Sequence, residues 1–155
     1  MTAPAPWRTV GALVLSLCGV AVSTYLTIVH FDPSVPLVCS GTGLVNCARV
    51  TTSPQSYVFG IPVAVLGLAF YAAMIAMNLP VAWRAVDRRV HVLRLAMAVV
   101  GMGFVLYLVA TELLVIRNIC LWCTSVHVLT FLLFVLLVAT VPSMLGWNTT
   151  DTRTR

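Results

Sequence analysis

Four long apolar runs constrain the fold of this chain more than any other feature. They occupy residues 10–29, 61–79, 93–116 and 121–141. Each is close to the roughly 20 helical residues that cross a hydrocarbon core of about 30 Å. Only 8% of the residues are charged, whereas soluble domains carry about 25%, so most of the surface must face lipid. Because lipid cannot satisfy open backbone N–H and C=O groups, these spans must be helices.

We therefore predict an all-α integral membrane protein, a bundle of four transmembrane helices with a large extracytoplasmic loop between the first two. The predicted membrane domain covers residues 1–146, and residues 147–155 form a short polar cytoplasmic tail. Only residues 117–119 separate the third and fourth spans. So short a connection makes these two spans antiparallel neighbours.

The positive charges predict the orientation of the spans. Seven of the nine arginines fall at the termini or between the second and third spans: Arg8, Arg84, Arg88, Arg89, Arg94, Arg153 and Arg155. Only Arg49 and Arg117 fall in the other two loops. Basic residues concentrate on the cytoplasmic side, so we expect both termini there and the loops at 30–60 and 117–119 outside. The net charge of +5 thus reflects topology and needs no nucleic acid partner.

Four of the five cysteines fall on the predicted outer side. They are Cys39, Cys47, Cys120 and Cys123, whereas Cys18 lies within the first span and is expected to be a small buried hydrophobic residue. Thiols outside a bacterial inner membrane meet an oxidising environment and form disulfides. The position of the four outer cysteines therefore favours redox chemistry or disulfide bonding.

Cys120 and Cys123 form a C-x-x-C pair at the start of the fourth span, where a helix N-terminus stabilises a thiolate. Three interpretations remain open: a zinc site of four thiolates, two static disulfides, or an electron relay by thiol–disulfide exchange. The first half of the outer loop, rich in Pro, Gly and Ser, is expected to be mobile, which favours the relay. A lipid-soluble quinone would suit a cysteine pair at the edge of the hydrocarbon.

A stripe on the fourth span could form the wall of a ring pocket. Cys120, Cys123, His127, Thr130 and Phe134 follow one another at helical spacing. Plain helix packing is the alternative for Thr130 and Phe134. His127 is an ionisable group within the membrane and so a functional candidate, with a packed imidazole as the alternative.

Glu112 is the only acidic residue within a span. It lies about one turn from the outer end. We expect its side chain to reach the membrane interface or to pair with Arg117, and a functional role is the alternative.

Three stretches, "CSGTGLVNCARVTTS" (39–53), "FGIPVAVLGLAFY" (59–71) and "CLWC" (120–123), resemble the bacterial branch of the vitamin K epoxide reductase family. The resemblance extends over nearly the whole chain. It implies a four-helix bundle around a quinone, with menaquinone as the first candidate and ubiquinone as the second, and no metal. It also implies that Cys120 and Cys123 form the active-site pair, with Cys123 beside the ring, and that Cys39 and Cys47 form a loop shuttle.

The same resemblance implies a role for Ser53 at the cofactor. Ser53 would donate a hydrogen bond to a quinone carbonyl or support the pocket. Phe59, His127 and Thr130 complete the predicted set, together with Cys123.

The chain departs from the family pattern in two places. The vertebrate enzymes hold vitamin K with an Asn in the second helix and a Tyr one turn after the C-x-x-C, but here the second span has no amide before Asn78, and His127 takes the Tyr position. Many bacterial members carry a fused thioredoxin-like domain, and this chain ends at Arg155 without one. We therefore expect the partner to be a separate protein.

The predicted function is a thiol:quinone oxidoreductase of the bacterial inner membrane. It would reoxidise an extracytoplasmic thioredoxin-fold thiol oxidase of the DsbA type and so drive disulfide formation in exported proteins. One alternative is a quinone or epoxide reductase whose product is the reduced quinone. The other is a structural membrane subunit stapled by two disulfides.

Overall fold

A computed structural model of the chain describes residues 5–32, 34–39, 43–84 and 87–145. The predicted tail at 147–155 lies outside the described residues. The described chain is mostly helical. A short 3₁₀ turn (Pro54–Ser56) and a small hairpin precede helix α3, and a π-helical segment (Thr111–Ile116) continues helix α5. Its elements are α1 (Pro6–Phe31), α2 (Cys47–Thr51), β1 (Tyr57–Val58), β2 (Ile61–Pro62), α3 (Val63–Asn78), α4 (Pro80–Trp83), α5 (Arg88–Ala110) and α6 (Leu121–Met144).

Three helical segments of the described chain are long and apolar enough to cross a membrane. They are Pro6–Phe31, Arg88–Ile116 and Leu121–Pro142. The fourth predicted span corresponds to α3, which is apolar but has only 16 residues and is about 24 Å long at 1.5 Å per residue. The number of spans therefore stays a prediction.

Prolines set the ends of α3. The apolar run at 61–79 loses its first residues to β2, and Pro62 is the N-cap of the helix. At the other end Leu79 has an extended backbone, with φ −58° and ψ 146°, because the ring of Pro80 excludes the helical conformation from the residue before it. Proline chemistry thus makes the helix shorter than its apolar run.

Helix packing leaves a gap on one side of the bundle. α1 packs against α3 and α6, and α5 packs mainly against α6, which confirms the predicted contact between the third and fourth spans. α3 and α5 are packed less closely against each other. A buried core closes the bundle at one end; it contains Ala12, Tyr71, Met74, Trp83, Ala98, Leu133, Leu137 and Val141.

The outer faces of the helices are apolar, as expected for contact with lipid. Val14, Leu106, Leu114 and Val128 are among many large apolar side chains with about half or more of their surface exposed. Cys18 shares this exposed surface of α1. The prediction that Cys18 is buried is therefore wrong, and its thiol faces the surroundings of the bundle.

Arg94 lies within α5, although the charge distribution assigned it to the loop between the second and third spans. Its side chain is fully buried within α5. The guanidinium donates two hydrogen bonds to the carbonyl oxygen of Met77, near the C-terminus of α3. It also lies 3.8 Å from the centre of the Trp83 ring. Arg94 therefore ties α5 to the ends of α3 and α4, at the same end of the bundle as the loop arginines.

Gly19 gives a test of the helix packing. A Cβ at this position would lie 2.1 Å from an atom of the Tyr71 ring, and that ring is held by hydrogen bonds of its hydroxyl to Thr130 Oγ1 (2.7 Å) and the Val126 carbonyl (3.0 Å). We expect Gly19→Ala to destabilise the protein by about 1–3 kcal/mol through overpacking. Gly103→Ala is the matched control, because a Cβ there meets no atom within 4 Å. Thermal unfolding in detergent measures both, and equal midpoints would contradict the packing of α1 on α3.

Candidate active site

A cavity of about 320 Å³ occupies the gap between α3 and α5. α1, α6 and the segment that follows Cys47 complete its wall. The lining is mostly apolar; it includes Leu66, Phe70, Phe104, Leu108 and Val126. Its size is at the lower end of the range for small-molecule sites. A flat apolar ring fits such a cavity.

Cys120 and Cys123 lie differently with respect to this cavity. Cys123 is in its wall, whereas Cys120 is fully buried and not among the lining residues. Cys120 directly precedes α6, and its Sγ accepts a hydrogen bond of 3.3 Å from the backbone N–H of Cys123. This is the N-terminal helix position predicted from the sequence. Both cysteines are free thiols in the structure.

The surroundings of Cys120 favour its thiolate. Its pKa is lowered chiefly by a hydrogen bond with the Cys123 side chain, and the backbone N–H groups of Cys123 and Trp122 act in the same direction. Burial and the nearby carboxylate of Glu112 oppose the shift. Since the thiolate is the nucleophile in disulfide exchange, Cys120 has the electrostatic character of an attacking cysteine.

The loop cysteines form a disulfide beside this pair. Cys39 and Cys47 are bonded, with their Cα atoms 6.0 Å apart. Cys47 is buried and packs with Cys120 and Val50 in a small cluster, whereas Cys39 is half-buried at its edge. The zinc interpretation needed four thiolates, and two of the four sulfur atoms are joined here. Within the described ranges no group of three or more His, Cys, Asp or Glu side chains could hold a metal ion.

Backbone hydrogen bonds hold the loop to the segment before α6. The Ile119 N–H donates to the Leu44 carbonyl (2.9 Å), and the Asn46 N–H donates to the Ile119 carbonyl (3.1 Å). This parallel bridge lies directly before Cys47 in the chain and directly before Cys120. It aligns the two cysteines that share the buried cluster.

A second contact holds the other side of the loop; we call Tyr25 and Trp122 the loop clamp. Their ring centres are 4.7 Å apart. The indole N–H of Trp122 donates to the Val38 carbonyl (2.8 Å), and the Tyr25 hydroxyl contacts the Pro36 carbonyl and the Val38 N–H, each at 3.1 Å. These contacts attach residues 36–38 and 44–46 of the loop to the helices, and the mobility of the loop stays a prediction. Residues 40–42 lie outside the described residues.

Two predicted cofactor ligands line the cavity with their hydroxyl groups already bonded. The Ser53 hydroxyl donates to the Val50 carbonyl (2.8 Å). The Thr130 hydroxyl lies 2.9 Å from the Val126 carbonyl and 2.7 Å from the Tyr71 hydroxyl. Of the two roles predicted for Ser53, support of the pocket fits this geometry better than donation to a ring carbonyl.

His127 and Gln55 offer polar groups to the cavity. Both line it, and His127 is nearly buried. No hydrogen bond among the described residues uses either side chain. Gln55 was not predicted as a site residue, and its signal in the sequence is an amide in the segment "TTSPQSY". It lies in the 3₁₀ turn Pro54–Ser56, which faces the cavity.

Glu112 is buried rather than at the membrane interface, so that prediction is wrong. It is 7% exposed and lines the cavity, whereas Arg117 is exposed. The cause is the π-helical end of the third span: the Glu112 carbonyl accepts hydrogen bonds from the N–H groups of Arg117 and Asn118. The Glu112 carboxylate interacts with the backbone N–H of Cys120.

Neither Phe59 nor Phe134 lines the cavity. This contradicts the prediction for Phe59 and agrees with plain helix packing for Phe134. Phe59 is at the tip of the β1–β2 hairpin, with φ 52°, and Gly60 follows with φ 79°. Two successive residues with positive φ form the tight turn that matches strand twist. This turn leaves Phe59 fully exposed. Phe134 packs against the buried core instead.

One comparison with known proteins bears on this site. A protein-family model described as "Vitamin K epoxide reductase family" matches residues 11–138. The match covers most of the chain, from α1 to α6, and includes the cysteines of both pairs and the residues around the cavity.

Proposed function

The chain belongs to the vitamin K epoxide reductase family, and we propose that it is a thiol:quinone oxidoreductase that drives disulfide formation. Members of this family are membrane oxidoreductases that use cysteines and quinones and act with thioredoxin-like partners. In our proposal this chain takes electrons from a separate thioredoxin-fold thiol oxidase of the DsbA type and gives them to a membrane quinone. The site lies on the outer side of a bacterial inner membrane, with both termini in the cytoplasm.

The observation that carries the proposal is the order of the sulfur atoms. Cys39 is at the edge of the cysteine cluster, Cys47 packs beside Cys120, and Cys123 is in the wall of the cavity. Electrons passed along this series enter from an accessible loop and leave into an apolar pocket. A purely structural pair of disulfides needs no such arrangement.

The exchange steps balance through the two pairs. A partner thiolate attacks Cys39, because Cys47 is only 1% exposed, and the loop disulfide is reduced. The Cys47 thiolate then attacks Cys120 of the oxidised helix pair and releases Cys123 as a thiolate. Cys39 attacks Cys47, which restores the loop disulfide and leaves Cys120 and Cys123 reduced. The structure has this last arrangement, with a loop disulfide and two free helix thiols.

The helix pair completes the cycle at the cavity. A quinone held there would supply the two-electron acceptor. Cys123 lies in the cavity wall, where it could contact the ring. Two electrons would pass from the Cys123 sulfur to the acceptor as the Cys120 sulfur bonds to Cys123, and the two thiol protons would complete the hydroquinone. His127 and Gln55 supply polar groups beside the ring, while Ser53 and Thr130 shape the wall. We propose menaquinone as the acceptor and ubiquinone as the alternative.

The test uses the protein in vesicles with a reduced thioredoxin-fold thiol oxidase. Menaquinone and ubiquinone are supplied in separate assays, and quinone absorbance and partner thiols are followed together. We expect one quinone reduced for each partner dithiol oxidised. If the redox states of all four cysteines stay the same whatever the quinone supply, the cysteines do not transfer electrons and have only a structural role.

The loop clamp gives a prediction about the loop itself. Trp122→Phe keeps the ring contact with Tyr25 but loses the hydrogen bond to the Val38 carbonyl. One neutral hydrogen bond has a net value of about 0.5–1.5 kcal/mol, so we expect the rate with the protein partner to fall about two- to tenfold. The rate with dithiothreitol, which can reduce Cys120 and Cys123 directly, should change less. Equal losses in both assays would show that Trp122 acts on the helix pair and not on the loop.

A further inference from the structure

The burial of Cys120 raises a question about protons. Oxidation of the helix pair releases two protons as well as two electrons. Cys123 faces the cavity, so its proton has a direct route to a bound acceptor. Cys120 is 0% exposed and outside the cavity wall. Its proton therefore needs a carrier that touches both Cys120 and the cavity.

Glu112 meets both conditions. It lines the cavity, is only 7% exposed, and its carboxylate interacts with the backbone N–H of Cys120. Its carboxylate and the Cys120 thiol also interact electrostatically. The π-helical segment turns the side chain inward, and such segments occur frequently at functional sites.

We propose that the Glu112 carboxyl carries the proton of the Cys120 thiol to the cavity and is the acid–base residue of quinone reduction. This inference rests on the proposed function. As Cys120 loses its proton to the carboxylate, its sulfur bonds to Cys123, and two electrons pass from Cys123 to the quinone. The protonated Glu112 returns that proton to a quinone oxygen, and the Cys123 thiol supplies the second. Dithiol and quinone become disulfide and hydroquinone, with Glu112 unchanged.

Among the ionisable groups near Cys120, Glu112 is the best placed to take its proton. Cys120, directly before α6, interacts with Glu112. Cys123 and His127 from α6, His30 from α1 and Tyr71 from α3 line the same cavity. Neither histidine is among the groups that act electrostatically on Cys120. From α2, Cys47 is in the loop disulfide and does not titrate.

A purely structural role is the competing explanation. Through its interaction with the Cys120 N–H, Glu112 would help to fix the turn before α6. Glu112→Gln separates the two roles, because the amide oxygen can still interact with this N–H but cannot carry a proton.

The experiment is a single turnover of the full-length, pre-reduced protein with quinone, measured from acidic to alkaline pH. General acid–base groups contribute about 10²- to 10⁴-fold to rates, and we expect E112Q to slow quinone reduction by at least about tenfold. One ionisation should also disappear from its pH–rate profile. Glu112→Asp should recover part of the rate and keep that ionisation at a shifted pH. Asp87→Asn, an acid-to-amide change at an exposed cap at the other end of α5, should match wild type.

The outcomes distinguish this inference from the proposed function. If wild type reduces quinone and E112Q has the same rate and pH profile, the inference is overturned and Glu112 is a structural residue. If wild type does not reduce quinone, the proposed function itself fails. If E112Q does not fold, as judged by thermal unfolding and thiol accessibility, Glu112→Asp decides. A pH–rate profile for E112D that superimposes on that of wild type then overturns the inference.

Discussion

Cys123→Ala and Cys120→Ala should each abolish quinone reduction, with a loss of at least about 10³-fold, as expected when a covalent catalytic group is removed. A single thiol cannot close the intramolecular disulfide that delivers two electrons. Cys123 is also the sulfur in the cavity wall, and Cys120 is the buried thiol behind it. Quinone absorbance with dithiothreitol as the donor measures the effect without any contribution from the partner protein.

Cys18→Ala is the matched control for these two variants. Its thiol is exposed on α1 and does not line the cavity. The Cys18→Ala protein should keep activity near that of wild type. An equal loss at Cys18 would mean that the assignment of active and inert thiols is wrong, as would full activity of Cys120→Ala.

The error over Cys18 shows a limit of sequence analysis for this class of protein. In a soluble helix the polar face marks the surface, but a membrane helix is apolar on the faces that meet lipid and on those that meet other helices. The sequence of α1 therefore predicts a span without showing which side is buried. Packing against α3 and α6 decides that, and Cys18 lies on the other side.

The cysteine pairs were predictable because their chemistry depends on local position. A C-x-x-C at the start of an apolar run implies a helix N-terminus, and the hydrogen bond from the Cys123 N–H to Cys120 Sγ has that geometry. The positions of Glu112 and Phe59 were not predictable in this way. Each depends on an irregular backbone, a π-helical segment in one case and two successive positive φ angles in the other. Hydrophobic periodicity carries no signal for either.

The order of transfer between the pairs gives the second large expected effect. Cys47 and Cys120 share a buried cluster, and the bridge between residues 44–46 and Ile119 aligns them. Attack of the Cys120 thiolate on Cys47 forms a mixed disulfide and releases Cys39. With Cys123 replaced by alanine, the resolving thiol of the helix pair is missing and this bond accumulates. Removing Cys39 as well prevents the reverse attack.

We therefore expect the double variant C39A/C123A to form a Cys47–Cys120 bond in nearly all molecules under mild oxidation, and Cys123→Ala alone to form it in a fraction. Mass spectrometry of non-reduced peptides identifies the pair. C47A/C123A is the matched control, because it leaves Cys39, at the edge of the cluster, as the only loop thiol. Its yield of a bond to Cys120 should be much lower.

The relay also predicts that the loop variants lose activity with the protein partner but keep activity with dithiothreitol. Cys39→Ala and Cys47→Ala should each block electron entry from the thioredoxin-fold partner, because a single loop thiol cannot pass on a disulfide. Both should retain much more activity with dithiothreitol, which reaches the helix pair without the loop. Loop variants that remain fully active toward the partner, with no Cys47–Cys120 bond in C39A/C123A, would contradict the relay. The Cys39–Cys47 disulfide would then be a staple, and electrons would have to enter directly at Cys120 or Cys123.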